Sequence, residues 1–204
     1  MKGVFNFLVE PRGERYSNKK DNNGKELILN TELQNHSYTN RYAVVKAIPL
    51  VYETDIKEGD EVIVHHNVFR RFHDIRGVEK NSKSYYDENL YFVNMDQIFM
   101  YRSDDKKWIA NDGYCFVKPL KETKAFADNY EKPLVGIIKY KDNKDSGFEV
   151  GDLIGFLPSS EYEFIIDGQR LYRIPNKFIT IKYEYKGDEV EYNPSWTQSG
   201  SRAD

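Results

Sequence analysis

The sequence predicts an all-β protein built as two small β-barrels in tandem, and four observations predict it. Aromatic residues make up 15% of the 204 residues and include 16 tyrosines, a bias toward side chains that suit pleated, half-buried surfaces. The apolar runs are short, rich in Val, Ile, Phe and Tyr, and bounded by Gly, Asp, Asn and Pro, which reads as strands. An apolar stripe at i, i+3, i+4, i+7 is everywhere interrupted by a Gly, Pro or Asn cluster, so helices are not expected. Finally, the second half of the chain repeats the order of the first.

Four blocks carry the repeat. Phe7-Leu8-Val9-Glu10-Pro11 faces Cys115-Phe116-Val117-Lys118-Pro119, and Ala43-Val44-Val45-Lys46 faces Gly136-Ile137-Ile138-Lys139. Ile56 to Val62 faces Phe148 to Ile154, aligning Gly59-Asp60 with Gly151-Asp152, and Val93 to Phe99 faces Arg173 to Ile179. The offsets of 108, 93, 92 and 80 make the first copy longer by 15 residues between its first two blocks and by 12 between its last two. Insertions are tolerated where backbone is exposed, so both places are expected to be surface loops or hairpins. Each Gly-Asp opens an apolar run after a loop, which fits a tight turn in which Gly supplies a positive φ.

The first barrel is therefore expected over residues 1–107, with a long mobile loop at about 12–41 and a hairpin at about 65–91. The second, shorter barrel is expected over 108–185, where the corresponding loop, KETKAFADNYEKP, is brief. From Lys186 the chain is polar with Pro and Gly, and a mobile tail is expected over 186–204.

Composition narrows the function. Thirty basic against 33 acidic residues give a net charge of −3, with no broad electrostatic reason to expect nucleic acid as a partner. A lone cysteine, Cys115, cannot form an intrachain disulfide, and the apolar run in MKGVFNFLVEPRGER is too short for a signal peptide or a membrane span. A cytoplasmic location is expected, in a cell or in an infected host, with no membrane partner.

Candidate chemistry is sparse. His36, His65, His66 and His73 invite a metal reading, but adjacent strand residues point to opposite faces, so His65 and His66 are not expected to share an ion. Cys115 sits in the strand Tyr114-Cys115-Phe116-Val117, where burial favours an inert thiol. The stretch 67–91 interleaves Arg70, Arg71, Arg76, Lys80 and Lys83 with aromatics, a pattern that small barrels use for nucleic acid; a solvated or subunit-facing hairpin is the simpler reading. Asp104-Asp105, Glu161 and Glu163 lie in polar loops without an accompanying acid or base. Phosphate-binding glycine loops, H-E-x-x-H and G-x-S-x-G motifs and cysteine clusters are all missing from the sequence. An enzyme is not expected, nor a cofactor or metal.

Residues 22–34, NNGKELILNTELQ, place the aliphatic triplet Leu27-Ile28-Leu29 within the most polar part of the N-terminal half. Either the triplet, with Leu33, is an extra strand or flap buried on both faces against the barrel, or it is held out for a partner. The second copy lacks most of this region, so the shared framework does not need it.

In order and spacing the blocks resemble the GroES-like 10 kDa co-chaperonin family. The resemblance rests on Leu8-Val9-Glu10-Pro11, Gly24-Lys25-Glu26-Leu27-Ile28-Leu29, Ala43-Val44-Val45-Lys46-Ala47-Ile48, Ile56-Lys57-Glu58-Gly59-Asp60-Glu61-Val62-Ile63-Val64 and Asp96-Gln97-Ile98-Phe99-Met100. It covers residues 4 to 103 well and 113 to 184 more weakly, through V-G-I-I-K-Y and F-E-V-G-D-L-I-G-F. A tandem chain of this kind is similar to the double-domain co-chaperonins of plastids, or to an equivalent encoded by a virus. Lys25-Glu26 depart from the family, which usually has Gly-Gly directly before the triplet.

The resemblance implies a lid for a GroEL-type chaperonin, with ATP bound by that partner. Leu27, Ile28 and Leu29 would dock in the chaperonin's apical groove, on a loop hinged at Gly24, and residues 65–91 would form a roof hairpin. Burying three such side chains contributes roughly 4 to 9 kcal/mol at about 1.5 to 3 kcal/mol each, less the cost of ordering the loop; ring symmetry multiplies the weak single grips. Ring closure would pair the first strand, through Val4, Phe5, Leu8 and Val9, with the last, through Ile98, Phe99 and Met100, within the chain or between chains of a homo-oligomer. The alternative function is a structural or adaptor protein, for instance a virion component, that reuses the duplicated barrels for assembly.

Overall fold

A computed structural model describes residues 2–16, 19–22, 25–28, 39–103, 106–122, 131–184 and 187–194. The chain divides into two compact units, Met1–Trp108 and Ile109–Asp204. Among the described residues every regular element is a strand or a short 3-10 turn, as the β-branched and aromatic runs dictate.

The first unit contains β1 (Phe7–Pro11), β2 (Lys19–Asn22), β3 (Lys25–Ile28), β4 (Tyr42–Ala47), β5 (Glu61–Val64), β6 (Arg71–His73), β7 (Glu79–Asn81), β8 (Tyr85–Asp87), β9 (Leu90–Val93) and β10 (Ile98–Arg102). The second contains β11 (Ile109–Ala110), β12 (Tyr114–Lys121), β13 (Glu131–Lys141), β14 (Leu153–Phe156), β15 (Tyr162–Ile166), β16 (Gln169–Pro175) and β17 (Ile179–Tyr183). They build two antiparallel sheets, of seven and six strands. The strands that the first unit supplies run β10-β5-β4-β1-β9-β8, and those of the second run β17-β14-β13-β12-β16-β15. The hydrogen-bonded order of the second sheet is open, with β15 and β17 at its edges.

Position by position, the two orders are the same, and two of their irregularities recur. In the first unit the register of β1 on β4 slips between Leu8 and Val9; in the second, β12 on β13 slips between Phe116 and Val117. The last strands also bulge alike, Ile98 facing Val64 while Met100 faces Ile63, and Ile179 facing Phe156 while Ile181 faces Gly155. A bulge at the same place in both copies fixes the same bend and the same inward faces. Gly59 and Gly151 sit at φ +92° and +98° in the turn before β5 and β14, which only glycine adopts without strain.

Strand pairing corrects one block of the sequence comparison. Phe7 faces Val93 and Cys115 faces Ile174, so Val93 corresponds to Ile174, and the turn Met95–Gln97 to Asn176–Phe178. The offset there is 81 rather than 80, and the first copy is longer by 11 residues in that interval. The sequence match had slipped by one residue, a change that would turn every side chain of the strand to the opposite face.

Each unit has its own core. Phe7, Val9, Val45, Val62, Val64, Phe69, Tyr91, Val93, Ile98 and Met100 are buried in the first, with the Phe69 and Tyr91 rings edge-to-face at 4.9 Å. Cys115, Val117, Ile138, Ile154, Phe156 and Ile174 pack together in the second.

Within the region from 186, where a mobile tail is expected, Val190 to Tyr192 are bonded to the end of β12. Lys121 N–H donates to Val190 O and Tyr192 N–H to Pro119 O, each at 2.8 Å. Composition marks this stretch as polar, but main-chain bonding to an open strand does not depend on apolar side chains.

Candidate functional site

The first unit departs from the second at two places, and both belong to one region. The longer departure leaves β1 at Pro11 and returns at Tyr42, and its neck is tied strand to strand. Arg12 N–H donates to Tyr42 O at 2.8 Å and Asn40 N–H to Arg15 O at 2.9 Å, and Tyr16 bridges Thr39. The Asn40 side-chain amide caps the inside of the neck, donating to Arg12 O and Glu14 O at 2.9 Å.

Beyond the neck, β2 and β3 pair as an antiparallel hairpin: Lys19 faces Ile28, Lys20 faces Leu27, Asp21 faces Glu26 and Asn22 faces Lys25. They form a two-stranded sheet of their own, outside both large sheets. Leu27 and Ile28 thus lie on a strand of this hairpin, while Gly24 and Leu29 lie outside the described residues.

The second departure is the hairpin of β6 and β7, with Arg71 facing Asn81 and His73 facing Glu79. It grips the neck. Arg15 donates to the Asn81 side-chain oxygen and to Phe69 O, both at 2.9 Å, and its guanidinium lies over the Tyr91 ring at 5.1 Å. The Tyr16 hydroxyl oxygen accepts the Arg71 N–H at 2.6 Å, and the Arg71 guanidinium, paired to Glu79 at 2.9 Å, stands 5.0 Å over the Tyr16 ring. Burial lowers the Arg15 pKa from its ordinary value, with Tyr91 opposing the shift. These two cation–π contacts, at about 0.5–1 kcal/mol each when exposed and more when desolvated, tie the neck to β9 and to the β6–β7 hairpin. Sequence reading singled out Arg71 as one of several basic residues, and gave no role to Arg15 or Tyr16. Their signal is tertiary, because 55 residues separate Tyr16 from Arg71.

The residues that the resemblance assigns to subunit pairing fall in three environments. Leu8 and Val9 are buried in β1, which is paired on one edge to β4 and on the other to β9. Ile98, Phe99 and Met100 are buried in β10. Val4 and Phe5 are the exposed ones, at 54% and 66%; Val4 O accepts the Leu50 N–H at 3.1 Å, and together with Leu50 and Val51 they form an exposed apolar patch.

His65 and His66 follow β5 in a turn, so the opposite-face rule for a strand does not apply to them, and their rings lie 4.2 Å apart. Among the described residues no three His, Cys, Asp or Glu side chains are grouped to hold a metal. Cys115 is buried, and burial together with the Asp142 charge pushes its thiol up to about 12. Among the described residues no helix is long and apolar enough to cross a membrane. No protein-family model and no curated protein matches the chain.

Proposed function

We propose that this protein is a co-chaperonin: two GroES-like barrels in one chain, assembling into a lid that closes a GroEL-type chaperonin through the β2–β3 hairpin. Leu27, Ile28 and Leu29 are the contacting residues, and Gly24 is the hinge of the loop that carries them. One observation carries this reading. The aliphatic residues stand on an excursion with its own two-stranded sheet, outside the framework that the two units share. A segment that the fold does not need, carrying apolar residues, is best explained by a partner.

Lid assembly in this reading pairs the first unit of one chain with the second unit of the next. Val4 and Phe5 are exposed in the first unit, and β17 is an edge strand of the second. Pairing them between neighbouring chains satisfies the free β17 edge and covers the patch of Val4, Phe5, Leu50 and Val51. Hydrolysis of ATP belongs to the chaperonin, and the chain itself contributes only binding.

Co-sedimentation with a GroEL-type chaperonin, with and without nucleotide, tests the proposal. The parent chain sediments with the chaperonin in nucleotide, and the double variant Leu27→Asp, Ile28→Asp stays in the supernatant with unchanged circular dichroism. A parent that never sediments with the chaperonin, or a double variant that still does, sinks it.

A further inference from the structure

The two sheets finish their corresponding edges differently. In the first unit the edge strand β8 is three residues long, its register on β9 slips between Tyr85 and Asp87, and Asp87-Glu88 place charge at its end. Shortness, a bulge and charge all keep an edge from pairing. β15 stands at the same place in the second unit, and it has neither the shortness nor the bulge. Its five residues, Tyr162-Glu163-Phe164-Ile165-Ile166, face β16 in unbroken register and include no Pro, Gly, Lys or Arg. The one charge among them, Glu163, is paired to Arg170 at 2.8 Å. Tyr162 and Ile165 are 48% and 38% exposed, and among the described elements only β16 lies extensively against β15.

The turn between β15 and β16 decides which main-chain groups face outward. Asp167 and Gly168, at φ +49° and +69°, connect the facing residues Ile166 and Gln169. This is the pattern of a two-residue type I′ turn, which closes on a hydrogen-bonded pair. Bonded and non-bonded pairs alternate along an antiparallel ladder, so Phe164 and Tyr162 are also bonded to β16, and Glu163 and Ile165 are not. The facing strand agrees: Arg170, opposite Ile165, donates its N–H to the Asn193 side chain instead of to β15. The N–H and C=O of Glu163 and of Ile165 therefore point off the open edge, and no main-chain bond among the described residues takes them up.

A second copy of the same edge is complementary to it. With a twofold axis at Phe164, two antiparallel β15 strands set Glu163 of each copy opposite Ile165 of the other. Each of these residues then donates its N–H and accepts at its C=O, and Tyr162 comes over Ile166 of the other copy. Neighbouring registers do worse. An axis at Glu163 sets the two Glu163 carboxylates against each other, which is destabilising, and an axis at Ile165 leaves Glu163 beyond the other strand, opposite Asp167 in the turn.

We propose that two copies of this chain join through β15, antiparallel about Phe164, into one continuous sheet. Main-chain bonds supply the affinity, and a twofold contact closes at two copies. So short an edge gives a weak pair, with Kd on the order of 0.1 to 1 mM. The contact is independent of the chaperonin reading, which draws on the β2–β3 hairpin and on β17, the opposite edge of the sheet.

Cysteine pairing reads the register. Facing Cα atoms of a bonded pair lie about 5.5 Å apart, within disulfide reach. Full-length Glu163→Cys and Ile165→Cys chains, oxidised together at roughly 1 mM, are expected to form a disulfide-linked dimer on non-reducing gels, and neither variant alone does so, since Cys115 is buried. In the parent, hydrogen exchange at the Glu163 amide slows about threefold between roughly 10 µM and roughly 1 mM. Ile165→Pro removes an outward N–H and no bond to β16, so it keeps the melting temperature of the dilute chain and abolishes that slowing. Should proline unfold the strand, Ile165→Glu, which sets like charge against Glu163 of the other copy, takes its place. Cross-linking of either single variant with itself, or none in the mixture, overturns the proposal. So does exchange at Glu163 that ignores concentration, or that slows as much in Ile165→Glu as in the parent.

Discussion

Asp60 and Asp152 hold the same turn in the two units. Asp60 Oδ2 accepts the Lys57 N–H at 2.8 Å, and Asp152 Oδ2 accepts the Glu149 N–H at 2.7 Å. Their carbonyls accept the N–H of Val45 and Ile138 at 2.9 and 3.0 Å, so each carboxylate locks the turn that feeds the core strand. Losing a charge-assisted bond of this kind costs about 1.5–3 kcal/mol. Asp60→Ala and Asp152→Ala are each expected to lower stability by that order in urea unfolding, and Gly59→Ala and Gly151→Ala by about 1 kcal/mol or more through their positive φ.

Acid sensitivity follows from Asp152. Burial alone would raise its pKa, but the Lys182 ammonium at 2.6 Å and the Glu149 N–H together outweigh burial and lower it. With the folded pKa below the unfolded one, the unfolded chain binds the proton more readily. The contribution is therefore complete above the unfolded carboxylate pKa, near 4, and is lost as pH falls from there through the folded value. Melting temperature measured between about pH 3 and pH 6 should fall more shallowly with acidification in Asp152→Asn than in the parent.

The thiol of Cys115 reports on opening of the second unit. The thiolate is the reactive form, and a buried thiol pushed up to about 12 supplies almost none of it at neutral pH. Labelling with an aromatic disulfide at about pH 8 should be slower than in the denatured chain by about a thousandfold or more, a ratio set by the free energy of opening. Ile174→Ala, which removes a neighbour in the same core cluster, should accelerate labelling. Equal rates in native and denatured protein would contradict the burial.

Truncation separates the docked part of the C-terminal region from the rest. Ending the chain at Pro194 should leave the melting temperature unchanged within a degree or so. Ending it at Lys186 removes two main-chain bonds to β12 and the partners of Lys118 and Lys132, and should cost about 1–3 kcal/mol. Arg170 should feel the loss as well, because its guanidinium lies over the Tyr192 ring at 5.8 Å.

Excision of the hairpin tests whether it belongs to the fold. Tyr16 and Thr39 are bridged, so residues 17–38 can be replaced by two glycines without stretching the neck. Since β2 and β3 pair with each other and not with the large sheet, stability should change by less than about 1 kcal/mol, within the range of loop-length effects. A large loss would mean that the excursion covers the core after all.

Much of the framework was legible because strand-forming residues and turn residues advertise themselves locally. Ile56 to Val62 and Phe148 to Ile154 show the Gly-Asp turn and the apolar run directly. The last block was misaligned by one residue for a physical reason: between Val93 and Phe99 apolar residues occur at several spacings, and a period-two pattern interrupted by a 3-10 turn has no unique register. Only the partners of Val93 and Ile174, Phe7 and Cys115, fix it. The neck was not legible at all. Arg15, Tyr16 and Arg71 are ordinary residues until the β6–β7 hairpin brings them together.

The sequence by itself determined the all-β class, the duplication and the location of the aliphatic segment in a region that one copy lacks, since these depend on side-chain type and order along the chain. Tertiary structure decided the register of the last block, the docking of Val190 to Tyr192 and the neck formed by Arg15, Tyr16 and Arg71. Those depend on main-chain hydrogen bonds between distant segments, and main-chain groups are the same in every residue but proline. The partner of a strand edge is therefore invisible in sequence, and appears only when the fold brings the two segments together.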